Sequence, residues 1–371
     1  MGTLSSAHDR TARTAVIIGT EDEAITVAGT VAQVFSLPMH DAATVKTAEA
    51  RLDLLSRSGL FGISVPTEHG GIDVSNTVLA EVCAVASSGS ATLGEIIAAH
   101  FVAVEQVRSH GSESQQGTVF AAVLAGARLA RAAARRNNEA ADALPLTSSG
   151  LAWRLGGEVL CTPCTRHADW LLVPAHQDGG RTAGLLLPTR IEGLHYVANS
   201  CEPVNGGAQP AEHVLFKDVL VDGDALLQPV GEAAAHAVPR SLDLLLEAAR
   251  QLGAGRRALR RFFDAPAGDP VTAGLLSARL AAAEAIVAEA GRTIDAAQIG
   301  LAEQHRTNAF LAAASAFTVA EEVAGQIRRA SGESGWKPPL TESPSPHVAA
   351  ILQESGTLRR EEYRRQQDRE D

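Results

Sequence analysis

Apolar residues recur at three- and four-residue spacing over the first third of the chain, from Glu21 to about Gly126. That spacing places them on one face of a helix. Acidic residues at 21–23 precede the first run, where they favour a helix N-terminus. The run 91–110 is apolar on nearly every side, as expected of a buried helix. The pattern predicts five helices, at 21–34, 47–58, 77–86, 91–110 and 112–124.

The pattern changes at about Arg128. Residues 150–228 are rich in glycine, proline and β-branched residues, and their apolar runs are short and separated by turn residues. Such runs are typical of strands. They predict a small antiparallel β-domain with strands at 151–155, 170–174, 184–188, 193–197 and 212–221.

Helical spacing returns at about Pro239 and predicts helices at 241–263, 269–299 and 308–330. Residues 331–347 are rich in glycine, proline and serine and predict a loop. The tail, 359–371, carries mixed charges and is either an amphiphilic helix or disordered. The predicted fold class is therefore mainly α with a central β-domain. Its predicted domains are 1–127 (helical), 128–228 (β) and 229–371 (a helical bundle with a charged tail).

The segment SGLFGISVPTEHGG, residues 58–71, is the most informative local pattern. Gly59 follows an apolar helix and is the expected left-handed stop. Pro66 then restricts the backbone. Gly70 and Gly71 make a sharp turn before the next helix, which we expect to begin near Val74. These residues shape a bend, so they identify a fold more directly than an activity.

Composition narrows the function classes. The 371 residues carry a net charge of −11, with no long Lys/Arg stretch before the C-terminus, so a nucleic-acid binder is disfavoured. The absence of an uncharged apolar run of membrane-spanning length predicts no transmembrane helix. Residues 1–13 lack the pattern of a secretion signal. Four cysteines in a chain of this length do not form a disulfide framework. We therefore expect a cytoplasmic protein that handles small molecules.

Residues 58–71 resemble the GLxGxxVPxExGG signature of the acyl-CoA dehydrogenase superfamily, whose members are flavin-dependent oxidoreductases with an all-helical N-terminal domain. Residues 14–28, TAVIIGTEDEAITVA, and the triplet 99–101, AHF, are similar to elements of its sulfur-acquisition branch. That branch includes monooxygenases that act on sulfones and dibenzothiophene. The resemblance implies an N-terminal helical domain, a middle β-barrel-like domain and a C-terminal helical bundle. The hydrophobic pattern gives the same order independently.

The resemblance implies a flavin, FMN or FAD, between the β-domain and the C-terminal helices. Two β-domain segments hold its ring system in the family. The first corresponds to 127–142, where the family motif is absent. The second corresponds to CTPC, 161–164, in which Thr162 matches a hydroxyl that contacts flavin, flanked by Cys161 and Cys164. Pro163 replaces a glycine and removes a backbone N–H donor, so loss of flavin binding stays open as an alternative.

His100 matches a histidine near the reactive face of the flavin, and the resemblance implies that it hydrogen-bonds a reacting oxygen or transfers a proton. The alternative is a core histidine that binds backbone groups. Arg256, with Arg257 and Arg260, corresponds to arginines that bind the flavin pyrophosphate of a neighbouring subunit in relatives. A charged helix face is the alternative reading.

Other candidates are weaker on the residues alone. A lone CxxC pair without a second pair favours structural thiols over a redox or metal site, and no metal site is predicted. Thr162 can also be a strand-end residue that packs through its methyl group. Glu342 is a conceivable catalytic base of a dehydrogenase, but its flanking residues do not place it at a site. The histidine that the sulfur branch carries near its C-terminus is missing or displaced to His347.

The sequence thus predicts a flavin-dependent oxidoreductase, by resemblance a monooxygenase that acts on a small organosulfur compound with oxygen and reduced flavin. A separate flavin reductase would supply the reduced flavin, and the family implies a homo-oligomer. Two alternatives stay open: a degenerate scaffold or partner subunit that has lost flavin, and an acyl-CoA dehydrogenase with a glutamate base.

Overall fold

The computed structural model describes residues 3, 14–37, 48–132, 143–177, 182–197, 211–227, 238–264, 269–300, 302–332 and 346–370. Cys201, Glu342 and most of the segment 127–142 lie outside these residues. The chain forms an N-terminal group of helices, a central sheet and a C-terminal bundle, so the predicted fold class is confirmed. The first group comprises α1 (Glu21–Ser36), α2 (Ala48–Arg57), α3 (Asn76–Gly89), α4 (Ala91–His110) and α5 (Glu113–Leu124).

Local capping explains where these helices begin. The side chains of Thr20 and Ser90 accept backbone N–H groups of the first turns of α1 and α4. Ser112 and Gln115 form a reciprocal capping box at the start of α5. Each cap satisfies a donor that the helix itself leaves unpaired.

The bend predicted at 58–71 is present. Gly59 and Gly70 adopt left-handed backbone angles, with φ of 83° and 87°. The apolar run between them, Leu60–Ser64, is a short 3-10 helix whose leucine, phenylalanine and isoleucine side chains are buried. Arg108 of α4 donates two hydrogen bonds, at 2.9 and 3.2 Å, to the carboxylate of Asp73, which lies just after the bend. The bend therefore joins α2 to α3 across the core.

The central sheet is mixed, and this differs from the antiparallel sheet that the sequence predicts. The first half of β4 pairs in parallel with β1, and its second half pairs in parallel with β2. Two strands that the sequence analysis missed, β1 and β2, make these parallel contacts. The strands are β1 (Leu129–Arg131), β2 (Leu144–Ser149), β3 (Ala152–Cys161), β4 (Trp170–Gln177), β5 (Thr182–Pro188), β6 (Leu194–Tyr196) and β7 (Glu212–Val221).

The C-terminal bundle consists of α6 (Val238–Asp264), α7 (Pro270–Ile299), α8 (Glu303–Ala330) and α9 (Pro346–Glu370). The tail is helical from Pro346, so the predicted loop 331–347 ends two residues too late. One apolar core joins the N-terminal helices to α6, α7 and α8 and includes Trp170 and Leu172 of β4. A second core fills the sheet. The sheet therefore contacts the helices along β1 and β4, and this junction contains the candidate site.

Candidate functional site

The candidate site lies where the sheet meets α6. Arg131, the last residue of β1, extends its guanidinium to Asp243 on α6, with its Nη2 at 2.8 and 2.7 Å from the two carboxylate oxygens. The Arg131 side chain is 20% exposed and the Asp243 side chain 44% exposed. This ion pair therefore joins the sheet to the bundle while staying accessible to solvent. Sequence reasoning missed both residues, because only the fold brings residue 131 to residue 243.

Thr162 lies beside Arg131. It follows the last residue of β3, and its backbone N–H donates to the Arg131 carbonyl at 3.0 Å. Its hydroxyl oxygen accepts the backbone N–H of Arg131 in a long bond of 3.4 Å. Because Oγ1 acts there as an acceptor, that bond leaves the hydroxyl hydrogen able to donate to another group. Thr162 is buried, whereas the ion pair beside it is partly exposed.

More charged side chains from α4 and α6 lie near the same ion pair. Arg250 of α6 binds Glu247 at 2.5 Å and Glu95 of α4 at 3.4 Å. Burial raises the pKa of Glu95, and the nearby Arg250 opposes that shift. The sequence carried one signal for this cluster, since Glu95 is an acid among the mostly apolar residues of α4. The junction therefore holds charged groups of both signs.

His100 lies in the core, where backbone groups bind both of its ring nitrogens. It is fully buried, and its Nε2 lies 3.1 Å from the Phe61 carbonyl oxygen. Its Nδ1 accepts the backbone N–H of Leu129 at 3.1 Å. A carbonyl can only accept, so Nε2 carries the proton and the ring is neutral. Burial lowers the pKa of His100 to about 3, against a smaller opposing effect of the Phe61 carbonyl. Through these contacts His100 connects the bend to β1 inside the core. Its catalytic role remains a prediction.

Cys161 and Cys164 form no disulfide bond within the described residues, and both are buried. Cys161 packs in the core of the sheet, whereas Cys164 packs in the core shared with the helices. Burial raises the pKa of the Cys161 thiol, and Glu212 adds to that shift. Within the described ranges, no three His, Cys, Asp or Glu side chains are grouped to hold a metal ion. The geometry resembles that of structural thiols, and contact of either cysteine with a cofactor remains a prediction.

Arg256 joins three helices. From α6, its Nη1 and Nη2 reach the Glu81 carboxylate of α3 at 2.7 and 2.8 Å, and its Nε reaches Glu284 of α7 at 2.7 Å. Arg257 and Arg260 donate to the carbonyls of Ser87 and Ser88 at the end of α3. In this arrangement the three arginines stabilise helix packing. Binding of a pyrophosphate by Arg256 remains a prediction and would require it to release a carboxylate.

Comparisons with known proteins identify the fold. Residues 26–127 match the family model of the acyl-CoA dehydrogenase N-terminal domain. Comparison with curated proteins found no match. The structure superposes on dibenzothiophene monooxygenase TdsC from Paenibacillus sp. A11-2 with a TM-score of 0.75 and 22% identity, over 90% of this chain and 96% of that one. The FMN-bound form of TdsC matches with the same TM-score and 23% identity, over the same shares of the two chains.

Two further structures show how widely this fold is used. KijD3, solved in complex with FMN and a dTDP-linked amino sugar, matches with a TM-score of 0.71 and 15% identity over 94% of this chain and 97% of that one. Butyryl-CoA dehydrogenase from Megasphaera elsdenii matches with a TM-score of 0.64 and 16% identity over 92% and 95%. The predicted resemblance to the acyl-CoA dehydrogenase superfamily is therefore confirmed, and at these identities the structural matches establish the fold alone.

Proposed function

We propose that this protein, whose fold is that of the acyl-CoA dehydrogenases, is a flavin-dependent oxidoreductase that binds its flavin at the junction of β1, the end of β3 and α6. The observation that carries the proposal is the position of Thr162. The hydroxyl that the resemblance assigns to flavin lies at the sheet–bundle junction, next to a guanidinium that reaches α6. The likeness to FMN-bound TdsC and to KijD3 with FMN supports the same cofactor class.

The residues of the junction fit such a cofactor. A flavin presents ring carbonyls and nitrogens that need hydrogen-bond partners and a phosphate that needs positive charge. Thr162 supplies a hydroxyl donor, and Arg131 supplies a charge whose guanidinium is partly accessible. When bound, a flavin accepts and donates electrons and, once reduced, reacts with oxygen. Thr162 would orient the ring edge, and Arg131 would offer positive charge to the phosphate.

The proposal can be extended from the cofactor to the substrate. We propose oxygenation of a small organosulfur compound, with reduced flavin delivered by a separate reductase. The support is the similarity of residues 14–28 to the sulfur-acquisition branch, together with the match to the dibenzothiophene monooxygenase TdsC. The apolar core shared by the helices reaches Trp170 and Leu172 of β4 and would help to exclude water from a reacting oxygen species.

A flavin titration tests the cofactor site. We expect the purified protein to bind FMN or FAD with micromolar affinity, measured by the quenching of flavin fluorescence. Thr162→Val keeps the shape of the side chain and removes the hydroxyl, so we expect about tenfold weaker binding. Thr162→Ser keeps the hydroxyl and should bind like the unaltered protein. Equal affinities of all three proteins would show that Thr162 does not contact flavin.

The second candidate function is a scaffold or partner subunit that has lost flavin. One observation favours it: the Arg131–Asp243 ion pair joins the β-domain to α6, where the resemblance places the cofactor. Pro163 also removes a backbone donor beside Thr162. A protein of this kind would keep the fold and bind no flavin even at high concentration.

Asp243→Asn separates the two candidates. The amide cannot hold Arg131 by charge, so the guanidinium becomes available to an anionic ligand. Because the pair is partly exposed, its loss is worth only about 1 kcal/mol, and we expect FMN affinity to rise about fivefold if flavin binds at the junction. The flavin titration described above measures this change in affinity. If neither the unaltered protein nor Asp243→Asn binds flavin, the scaffold is the function.

A further inference from the structure

A small polar cavity lies where the bend, α3, α4, α6 and α7 meet. Its volume is about 10 Å³, which is the room that about one water molecule needs. Ser64 of the bend, Asn76 of α3 and Glu105 of α4 line it, together with Leu242 of α6 and Gln298 of α7. The cavity is therefore part of the contact between the N-terminal helices and the C-terminal bundle.

Two of the polar side chains that line this cavity are buried without a hydrogen-bond partner. Ser64, Asn76 and Glu105 are 8%, 1% and 5% exposed. Within the part of the chain that the structure describes, neither the Ser64 hydroxyl nor Oδ1 of Asn76 has a partner. A buried polar atom without a partner is costly, and native structures rarely leave one. Two such atoms at one cavity indicate a ligand that binds both of them.

Gln298 fixes the orientation of the Asn76 amide. Nε2 of Gln298 donates to the Glu105 carboxylate at 2.9 Å, so the other end of this amide, Oε1, is the acceptor that receives Nδ2 of Asn76 at 2.8 Å. Nδ2 of Asn76 also donates to Oδ1 of Asp295 at 2.6 Å. A flipped Asn76 amide would place oxygen against oxygen in both contacts. Oδ1 of Asn76 is therefore an acceptor, and its missing partner has to be a donor or a cation.

The donors and acceptors around the cavity match a single water molecule. Oδ1 of Asn76 and the Glu105 carboxylate can each accept one of the two hydrogens of a water, and the Ser64 hydroxyl can donate to its oxygen. The Glu105 oxygens accept from Ser109 and Gln298, each at 2.9 Å, and a carboxylate oxygen can accept a second bond. The sum is three hydrogen bonds, the usual number for a buried water.

A sodium ion fits the cavity less well than a water molecule. Arg108 also lines the cavity, and its guanidinium binds the Asp73 carboxylate at 2.9 Å. A positive charge is therefore already present beside the cavity, and it repels a second cation. A neutral donor has no such penalty.

We propose that one buried water molecule occupies this cavity and bridges the Ser64 hydroxyl, Oδ1 of Asn76 and the Glu105 carboxylate. The water joins the bend, α3 and α4 at the point where they pack against α6 and α7. This inference is independent of flavin.

Ser64→Ala tests the bridge, because the Ser64 hydroxyl has no other partner within the described residues. If water binds there, the variant loses one of its three hydrogen bonds, and we expect the unfolding equilibrium constant to rise about fivefold. If no water binds, the variant removes a costly unpartnered hydroxyl, and the constant should fall. Chemical denaturation followed by circular dichroism measures the constant.

Ser56→Ala on α2 is the matched control. Ser56 is 0% exposed and its hydroxyl also lacks a partner among the described residues, but it does not line this cavity. We expect its unfolding constant to stay unchanged or to fall. A rise as large as that of Ser64→Ala would show that the loss follows from removing any buried hydroxyl, and this would overturn the proposal.

Two further measurements examine the ligand itself. In a crystal structure of the unaltered protein we expect an electron-density peak within about 3.2 Å of all three groups, and density without this peak would overturn the proposal. Unfolding in sodium chloride and in choline chloride at equal ionic strength should give the same stability. A stabilisation by sodium that Ser64→Ala loses would instead assign the cavity to a cation.

Discussion

Replacing Gly71 by alanine should lower the free energy of unfolding by about 3 kcal/mol or more, although the change adds a single methyl group. A Cβ atom at this position would lie 1.9 Å from the carbonyl oxygen of Val65 and 2.6 Å from its carbonyl carbon. The neighbour is backbone, so no side-chain rotation relieves the clash. The Val65 carbonyl also accepts the N–H of Asp73 at 3.1 Å, which the displacement would disrupt. Chemical denaturation followed by circular dichroism measures the loss.

Gly117→Ala is the matched control for this prediction. Gly117 is exposed in the interior of α5, and a Cβ atom there would meet nothing within 4 Å. Because glycine disfavours a helix interior, this alanine should stabilise the protein by about 0.5–1 kcal/mol. If Gly71→Ala proves as stable as the unaltered protein, the close approach of Gly71 to Val65 is wrong, and with it the geometry of the bend.

His100→Ala is the second change with a large expected effect, a loss of about 3–5 kcal/mol in the free energy of unfolding. The substitution leaves a cavity between Phe61 and Phe101, whose rings lie 4.3 and 5.9 Å from the imidazole. It also leaves the Phe61 carbonyl and the Leu129 N–H without their partner inside the core. The sequence-based hypothesis of a catalytic histidine predicts lost activity in a stable protein. The structure predicts lost stability first.

His100→Gln distinguishes these roles. A glutamine amide can donate to the Phe61 carbonyl and accept from the Leu129 N–H, so we expect most of the stability to return. If His100→Gln folds and its flavin-linked activity is near that of the unaltered protein, His100 positions the bend against β1. A stable His100→Gln variant with no activity would support the catalytic role instead.

The low pKa of His100 predicts that the stability of the unaltered protein depends on pH differently from that of His100→Gln. Folded His100 has a pKa of about 3, against 6.5 for an ordinary histidine. Above pH 6.5 the imidazole is neutral in both the folded and the unfolded protein, so the full stabilising effect of buried His100 is present. As the pH falls below 6.5 the unfolded chain binds a proton that the folded protein excludes, and stability declines. Between about pH 6.5 and 4.5 we expect the unaltered protein to lose about 2 kcal/mol relative to His100→Gln.

The comparison with His100→Gln matters because other buried groups respond in the opposite sense. Burial raises the pKa of Glu105, which is fully buried on α4 and binds Ser109 and Gln298, and it raises the pKa of Glu95 and Glu321. Their contributions oppose that of His100 as the pH falls, and they cancel in the difference between the two proteins. Equal pH dependence of both proteins would contradict the buried, neutral state of His100.

The sequence by itself determined the order of the architecture and the bend. Helical spacing before residue 127 and after residue 238, with short strand-like runs between, is a local property that each segment carries without the others. Gly59, Gly70 and Pro66 specify backbone angles by their own stereochemistry, so the bend was predictable from its residues. The same reasoning failed for β1 and β2, which are short and owe their position to parallel pairing with β4, a distant segment.

Only the tertiary structure decided what the candidate residues touch. The Arg131–Asp243 pair joins positions 112 residues apart, and no local pattern relates them. His100 was correctly singled out as polar in an apolar helix, yet its two backbone partners come from the bend and from β1. The sequence offers Arg256 as a pyrophosphate ligand or as part of a charged helix face, and in the fold it binds two carboxylates. The spacing of residues along the chain fixes which face of a helix a residue occupies. The charge partners of that residue depend instead on which helices and strands the fold packs against that face.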